Sequence, residues 1–183
     1  MSRRKNSLPE PGSPPSDWQR ALIGGVVILA AACLVYVPCL KGGFIWDDEG
    51  LVLNRVLMHR WDGLYKIWFT ASAPDYWPVT YTLWWIEWQL WPTSLLGYHA
   101  VNLVLHGFSC LMVWAILKKM SMPGAFLAAL LYAVHPVNVE SVAWIAQGKD
   151  VLAVAFFLVS IYWYLQSEEK LKGSGIRGGT LSF

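Results

Sequence analysis

The feature that most constrains this sequence is a set of long apolar runs without a single charge. The first run covers residues 21–40, and roughly 20 residues at a rise of about 1.5 Å span the ~30 Å hydrocarbon core of a bilayer. Only 14% of the chain is charged, against about a quarter in a soluble domain. The sequence therefore predicts an all-α, polytopic integral membrane protein.

Four helices are predicted to cross the bilayer, within a transmembrane domain that covers residues 20–166. Their approximate bounds are 21–40, 98–117, 125–139 and 151–165. Polar residues interrupt the start of the fourth run, which could begin as early as Val142. The Pro- and Ser-rich residues 1–19 predict a disordered tail, and residues 167–183 predict a flexible one.

The basic residues predict the orientation of the chain. The N-terminal tail, Lys118, Lys119 and the end of the fourth run carry Lys and Arg on one side, which the positive-inside rule makes cytoplasmic. The outer loop 42–97 then faces the far side, and we expect a bacterial inner membrane. A net charge of +2 is too small for phosphate-backbone binding, so lipid is the expected partner and nucleic acid is not.

The outer loop mixes apolar and polar residues in a pattern typical of helices that lie on the membrane surface. Eight of the 12 Trp lie between Trp46 and Trp91, and Trp favours the headgroup level. Interfacial helices are therefore predicted within residues 42–97.

Asp47, Asp48 and Glu49 form an acidic cluster soon after the first predicted helix. Adjacent carboxylates raise one another's pKa, and partial desolvation raises it further, which suits a general base. The alternative is an ordinary solvated loop. The sequence defines no cofactor and leaves a divalent metal open, with no ligands assigned to it.

His99, Asn102 and His106 form a polar stripe on the second predicted membrane helix. At 100° per residue their spacing places them within about 60° of arc, and such residues in a membrane default to a functional hypothesis. Hydrogen bonding between helices explains the stripe equally well.

The connection between the third and fourth runs carries a second set of polar groups. His135 and Glu140 follow the third run, and Lys149 and Asp150 precede the fourth. Recognition of a phosphate would need a cation such as Lys149. The alternative is a helix boundary whose charged side chains reach the headgroups.

Four motifs in this order carry a family resemblance. They are Phe44-Ile45-Trp46-Asp47-Asp48 with Asn54, Pro78-Val79-Thr80, Gly97-Tyr98-His99-Ala100-Val101-Asn102 with His106, and His135-Pro136-Val137-Asn138-Val139-Glu140-Ser141-Val142-Ala143-Trp144. Together they resemble the membrane half of the transmembrane and tetratricopeptide-repeat proteins, which include animal O-mannosyltransferases and bacterial relatives within the GT-C class of glycosyltransferases. The resemblance covers residues 21–165.

This resemblance implies transfer of a sugar from a polyprenyl-phosphate donor to a hydroxyl of a protein or glycan acceptor, on the outer side of the membrane. Asp47 and Asp48 occupy the position of the family's essential loop carboxylate. Candidates for binding the donor phosphate are His99, Asn102, His106, Arg55, His135, Glu140, Lys149 and Asp150.

The chain also departs from the family pattern. Trp77 stands where members often carry Arg, which removes one candidate phosphate ligand. GT-C enzymes have more than four membrane helices, and the repeats expected after the membrane half do not follow Lys172. We therefore expect a truncated member that is inactive alone.

Two alternatives come from other classes of protein. The first is a non-catalytic four-helix module that assembles with other membrane subunits. The second is a membrane cytochrome in which His106 and His135 ligate haem.

Overall fold

A computed structural model describes residues 15–73 and 75–173. The predicted tail segments 1–14 and 174–183 lie outside the described residues. The described part of the chain consists of helices and turns and contains no strand. Three of its helices are long and apolar enough to cross a membrane, or four if one bent pair counts as a single span. The predicted all-α polytopic membrane fold is confirmed.

The first membrane helix, α1, covers Asp17–Tyr36 and continues as a 3₁₀ turn over Val37–Lys41. It begins inside the predicted disordered tail 1–19, which is corrected here. Ser16 precedes the helix, and its backbone N–H donates to Gln19 Oε1 at 2.8 Å. This bond satisfies one donor at the helix start and explains why the helix begins before the apolar run.

The outer loop contains a π-helical turn at Glu49–Leu53 and two helices, α2 at Gly63–Phe69 and α3 at Pro78–Leu90. These elements share a core that also includes residues from the membrane helices. Its buried members are Val52, Leu57, Met58, Ile67, Tyr81, Trp84, Tyr98 and Ile145. Because Tyr98 and Ile145 belong to the membrane part of the chain, this core fixes the outer loop against one end of the bundle.

The second membrane helix, α4, covers Leu95–Lys119 and is the central element, since it contacts α1 and each of the three helices that follow it. The next helix, α5, covers Ala125–Val134. Ala129 and Ala133 are fully buried against α1 and α4. Small side chains at these positions allow the close backbone approach on which packing in lipid depends.

The third predicted helix, 125–139, is shorter than the sequence indicated. Helix α5 ends at Val134, and after His135 the chain forms a 3₁₀ turn at Pro136–Asn138 and a short helix, α6, at Val139–Ala143. The bend between these parts is 47°. Pro136 has no N–H to continue the α-helical ladder and disfavours helical backbone at His135, which explains the break.

The last helix, α7, covers Gly148–Gly173 and follows a 3₁₀ turn at Ile145–Gln147. It is longer at both ends than the predicted 151–165 and includes part of the predicted flexible tail. Lys119 of α4 forms an ion pair with Glu169 of α7, which holds these two helices together at the end opposite the outer loop.

Candidate functional site

Asp48 is the most deeply buried carboxylate of the predicted acidic cluster, with 0% of its surface exposed. Its Oδ2 accepts the backbone N–H of Ile45 at 3.0 Å, and its Oδ1 accepts the backbone N–H of Ala146 at 2.6 Å. Asp48 and Ala146 are 98 residues apart in the chain. The side chain therefore fastens the start of the outer loop to the turn before α7. We refer to residues 45–48 and 144–149 as the carboxylate corner.

The pKa of the Asp48 carboxyl is raised above its ordinary value, and burial is the largest cause because desolvation penalises the charged form. The N–H groups of Ile45 and Ala146 oppose this rise, as does the nearby indole of Trp144, whereas the negative charge of Asp47 adds to it. The Trp144 Nε1 has no partner in hydrogen-bond geometry within the described residues. The indole therefore lowers the Asp48 pKa by lying close to the carboxyl and not through a hydrogen bond. Asp48 is held in place at an electrostatic cost.

Asp47 differs from its neighbour because it is exposed. Trp46, immediately before it, has a φ of 46°, in the left-handed region that bulky residues rarely adopt. The Trp46 indole is 80% exposed and packs edge-to-face on Trp144, with ring centroids 5.6 Å apart. The fold thus buries one aspartate and presents the other beside a strained tryptophan.

The polar stripe of α4 lies on one face, and all three side chains are buried: His99, Asn102 and His106 are 2–3% exposed. Asn102 Nδ2 donates to the carbonyl of Trp144 at 3.2 Å. A Cβ at Gly148 would lie 2.7 Å from Asn102 Oδ1, so the glycine admits this close approach. Asn102 therefore fixes the same turn that supplies the Ala146 N–H to Asp48.

The two histidines of the stripe have different surroundings. Neither ring nitrogen of His99 has a hydrogen-bond partner among the described residues, and a Cβ at Gly42 would lie 3.1 Å from its Nε2. His106 Nε2 lies 3.1 Å from the Ala133 carbonyl oxygen, and the ring meets Tyr36 edge-on at 5.1 Å. His106 thus joins helices, whereas His99 retains polar atoms that the described protein does not satisfy.

Lys149 is the predicted cation that belongs to the carboxylate corner, since it follows Ala146 by three positions at the start of α7. Its Nζ lies 5.0 Å from the centroid of the Trp77 ring, a cation–π distance. Trp77 stands at the position where the family resemblance led us to expect an Arg. Its ring contacts the Lys149 cation instead.

Arg55 lies on a different part of the outer loop. It lines a polar cavity of about 480 Å³ together with Asn54, Lys66 and Ser72. Its Nε is buried without a partner among the described residues, and its charge lowers the pKa of Tyr81 against the larger effect of burial. No hydrogen bond joins Arg55 to the carboxylate corner within the described part of the chain.

The remaining predicted residues lie at the periphery. His135 is exposed, and its Nδ1 accepts the Val137 N–H. Glu140 is exposed and accepts a hydrogen bond from Gln147 Nε2 at 3.2 Å. Asp150 lines a cavity of about 40 Å³ beside His106. That volume is far too small for haem, and His135 does not line it, so the geometry does not favour the cytochrome alternative.

Two features of the structure were not predicted from the sequence. The first is the aromatic pair of Trp46 and Trp144, which only the folded chain brings together. The second is Glu87 of α3, which is 3% exposed and whose pKa burial raises to about 8. The signal for Glu87 was present, because a lone carboxylate stands within an aromatic segment. Within residues 15–73 and 75–173, no three His, Cys, Asp or Glu side chains form a group that could hold a metal; a divalent metal remains a prediction.

The fold and this corner define an all-α polytopic membrane protein with a buried and an exposed carboxylate in its outer loop. The chain is similar to the protein O-mannosyl-transferase F38B6.6 of Caenorhabditis elegans, with 29% identity over 79% of this chain and 23% of that protein. It is also similar to two human protein O-mannosyl-transferases. For TMTC4 the identity is 28% over 91% of this chain and 25% of the relative, and for TMTC1 it is 31% over 79% and 18%.

The chain is therefore homologous to the TMTC family of protein O-mannosyl-transferases, and the resemblance drawn from its motifs is confirmed. It spans a quarter or less of the length of these curated relatives. No protein-family model matches the chain. No solved structure matches it either.

Proposed function

We propose that this chain carries the outer-loop carboxylate and part of the donor site of a GT-C-type glycosyltransferase. The enzyme would move a mannosyl group from a polyprenyl-phosphate donor to an acceptor hydroxyl of a protein or glycan. The observation that carries the proposal is the difference in burial between two adjacent aspartates. Asp48 is buried with both oxygens bonded to backbone N–H groups, whereas Asp47 is exposed.

In this reaction the oxygen of the acceptor hydroxyl attacks the anomeric carbon, and Asp47 accepts the proton of that hydroxyl. The bond between that carbon and the phosphate oxygen breaks, and the phosphate leaves with the electron pair. General-base catalysis of this kind contributes about 10²- to 10⁴-fold. Asp48 is a positioning residue, because its bonds to Ile45 and Ala146 hold the segment that presents Asp47.

The charge that develops on the departing phosphate needs positive groups nearby. Lys149 and the N-terminal end of α7 provide them, since a helix N-terminus carries roughly half a positive charge. His99, with two unsatisfied ring nitrogens, is a candidate for a further contact. Arg55 would take part only if the donor extends over the outer loop.

The two ends of the bundle support an orientation with the N-terminus in the cytoplasm. The carboxylate corner lies at one end of α7, whereas Lys119 of α4 and Lys170 and Lys172 of α7 lie at the other. The positive-inside rule assigns the lysine end to the cytoplasm. The carboxylate corner then faces the outer side, and we propose the bacterial inner membrane as the location.

The proposal is tested by measuring mannosyl transfer from polyprenyl-phosphate mannose to a Ser/Thr-rich peptide, with a chimera in lipid nanodiscs in which this chain replaces the matching segment of human TMTC4. We expect Asp47→Asn to reduce the transfer rate by about 10²-fold or more. Glu49→Gln is the matched control, because Glu49 is also an exposed carboxylate of this loop. If the chimera transfers no mannose while TMTC4 itself does, or if the Asp47→Asn chimera transfers it at the rate of the unsubstituted chimera, the catalytic proposal is wrong and the non-catalytic module is favoured.

A further inference from the structure

The backbone at Trp46 is strained, and the strain is maintained by the site itself. A φ of 46° at a bulky residue is unfavourable and persists only where surrounding contacts impose it. Here the Asp48 N–H donates to the Ile45 carbonyl at 3.0 Å, and Asp48 Oδ2 accepts the Ile45 N–H at 3.0 Å. These two bonds close a turn around Trp46. The buried carboxylate therefore also sets the direction of the indole.

An anchor at the membrane surface does not need this strain. Trp61, in the same outer loop, is 83% exposed and packs edge-to-face on Trp85 at 6.2 Å. Trp46 is 80% exposed and packs on Trp144 in the same way. Yet Trp61 has no positive φ. The left-handed backbone at Trp46 thus serves something other than exposure or edge-to-face packing.

The indole of Trp46 is held on one side and open on the other. Its partner Trp144 is fixed through the hydrogen bond from Asn102 to the Trp144 carbonyl. Trp144 also stands in the chain directly before the turn that leads to Lys149. Asp48 is hydrogen-bonded to Ala146, three residues before Lys149, so a phosphate at Lys149 and the N-terminal end of α7 would lie at the same corner as Trp144, Trp46 and the exposed Asp47.

We propose that Trp46, supported by Trp144, is the surface on which the hexopyranose ring of the donor stacks while Asp47 acts at its anomeric centre. The C–H face of a pyranose carries partial positive charge and is attracted to the negative face of an indole. Trp46 binds the sugar by stacking and forms no covalent bond with it. This inference rests on the proposed function.

The test compares two lipids that differ only in the sugar: short-chain polyprenyl-phosphate mannose and the same polyprenyl phosphate without mannose. Their dissociation constants are measured with the full chain in nanodiscs. We expect the wild-type chain to bind the mannosyl lipid more tightly than the sugar-free lipid. Trp46→Ala should reduce the ratio of the two dissociation constants by about two- to tenfold. Binding of the sugar-free lipid should not change. Trp61→Ala should retain the wild-type preference.

Trp46→Gly separates sugar binding from folding, because glycine adopts the left-handed conformation without strain. We expect this variant to unfold at or above the wild-type temperature and still lose the preference for the mannosyl lipid. The stacking role is refuted, while the proposed function stands, if Trp46→Ala keeps the preference for the mannosyl lipid or weakens the binding of both lipids equally. The same holds if Trp46→Ala and Trp61→Ala give the same dissociation constants. If the wild-type chain has no preference, the donor assignment fails and the stacking role fails with it.

Discussion

Replacing Asp48 should destabilise the fold far more than replacing Asp47. Asp48→Ala removes the acceptor from two backbone N–H groups, those of Ile45 and Ala146. Leaving a buried donor unsatisfied costs about 1–3 kcal/mol; the Ala146 N–H is buried and the Ile45 N–H is part-buried, so the two together cost about 2–5 kcal/mol. Relief of the desolvation that raises the Asp48 pKa offsets part of this cost. We expect a net loss of about 2–4 kcal/mol in the free energy of unfolding.

Asp48→Asn gives an intermediate result for a geometric reason. The single amide oxygen can accept one of the two N–H groups, but the NH₂ group would then face the other donor. One donor is lost instead of two, and we expect a loss of about 1–3 kcal/mol. The order of stability should therefore be wild type, Asp48→Asn and then Asp48→Ala.

The free energy of unfolding is measured in detergent micelles by denaturant titration, followed by far-UV circular dichroism. Asp47→Ala is the matched control, because an exposed substitution stays within about 0.5 kcal/mol of wild type. Since Asp48 joins residues 98 positions apart, its loss should also expose the outer loop to trypsin at Arg55 and Arg60. If Asp48→Ala is as stable as Asp47→Ala, the carboxylate does not hold the corner and the reasoning is refuted.

Three further outcomes are expected. Glu87→Gln should stabilise the protein increasingly as pH rises. The folded-state pKa of Glu87, about 8, lies above the unfolded value. The free energy of unfolding of the wild type therefore falls by about 1.4 kcal/mol per pH unit between about pH 4.5 and pH 8. A difference in melting temperature that does not change with pH would contradict this. Gly148→Ala should cost about 1–3 kcal/mol because its Cβ meets Asn102 Oδ1, and adding Asn102→Ala should recover part of that loss; additive costs of the two changes would exclude the contact. Breaking the ion pair between Lys119 and the exposed Glu169 with Glu169→Gln should change stability by at most about 1 kcal/mol, and a larger loss would show that the partly buried Lys119 depends on this partner.

The membrane fold could be predicted because hydrocarbon imposes a simple rule on sequence. A charge-free run as long as residues 21–40 has few alternatives to a spanning helix. The boundary at Val134 was harder to place, although the break at Pro136 follows from proline geometry. The extension of α7 to Gly173 depends on helix-forming residues and on the contact between Lys119 and Glu169, which periodicity does not reveal.

The candidate site was predictable in its residue types and not in its geometry. Helical spacing alone places His99, Asn102 and His106 on one face, and their burial agrees with it. The different surroundings of Asp47 and Asp48 depend on a hydrogen bond to Ala146, a contact between distant parts of the chain. Local sequence also gives no sign that Trp46 adopts a left-handed backbone, since its conformation is imposed by that same carboxylate.

The central claim is that the carboxylate corner faces the donor on the outer side of the membrane. It is tested by replacing Cys33, Cys39 and Cys110 and introducing Asp47→Cys, or Met122→Cys at the exposed turn before α5, in intact bacterial cells. A membrane-impermeant maleimide should modify position 47 in sealed cells and position 122 only after the cells are opened. Modification of position 47 solely after opening would contradict the account.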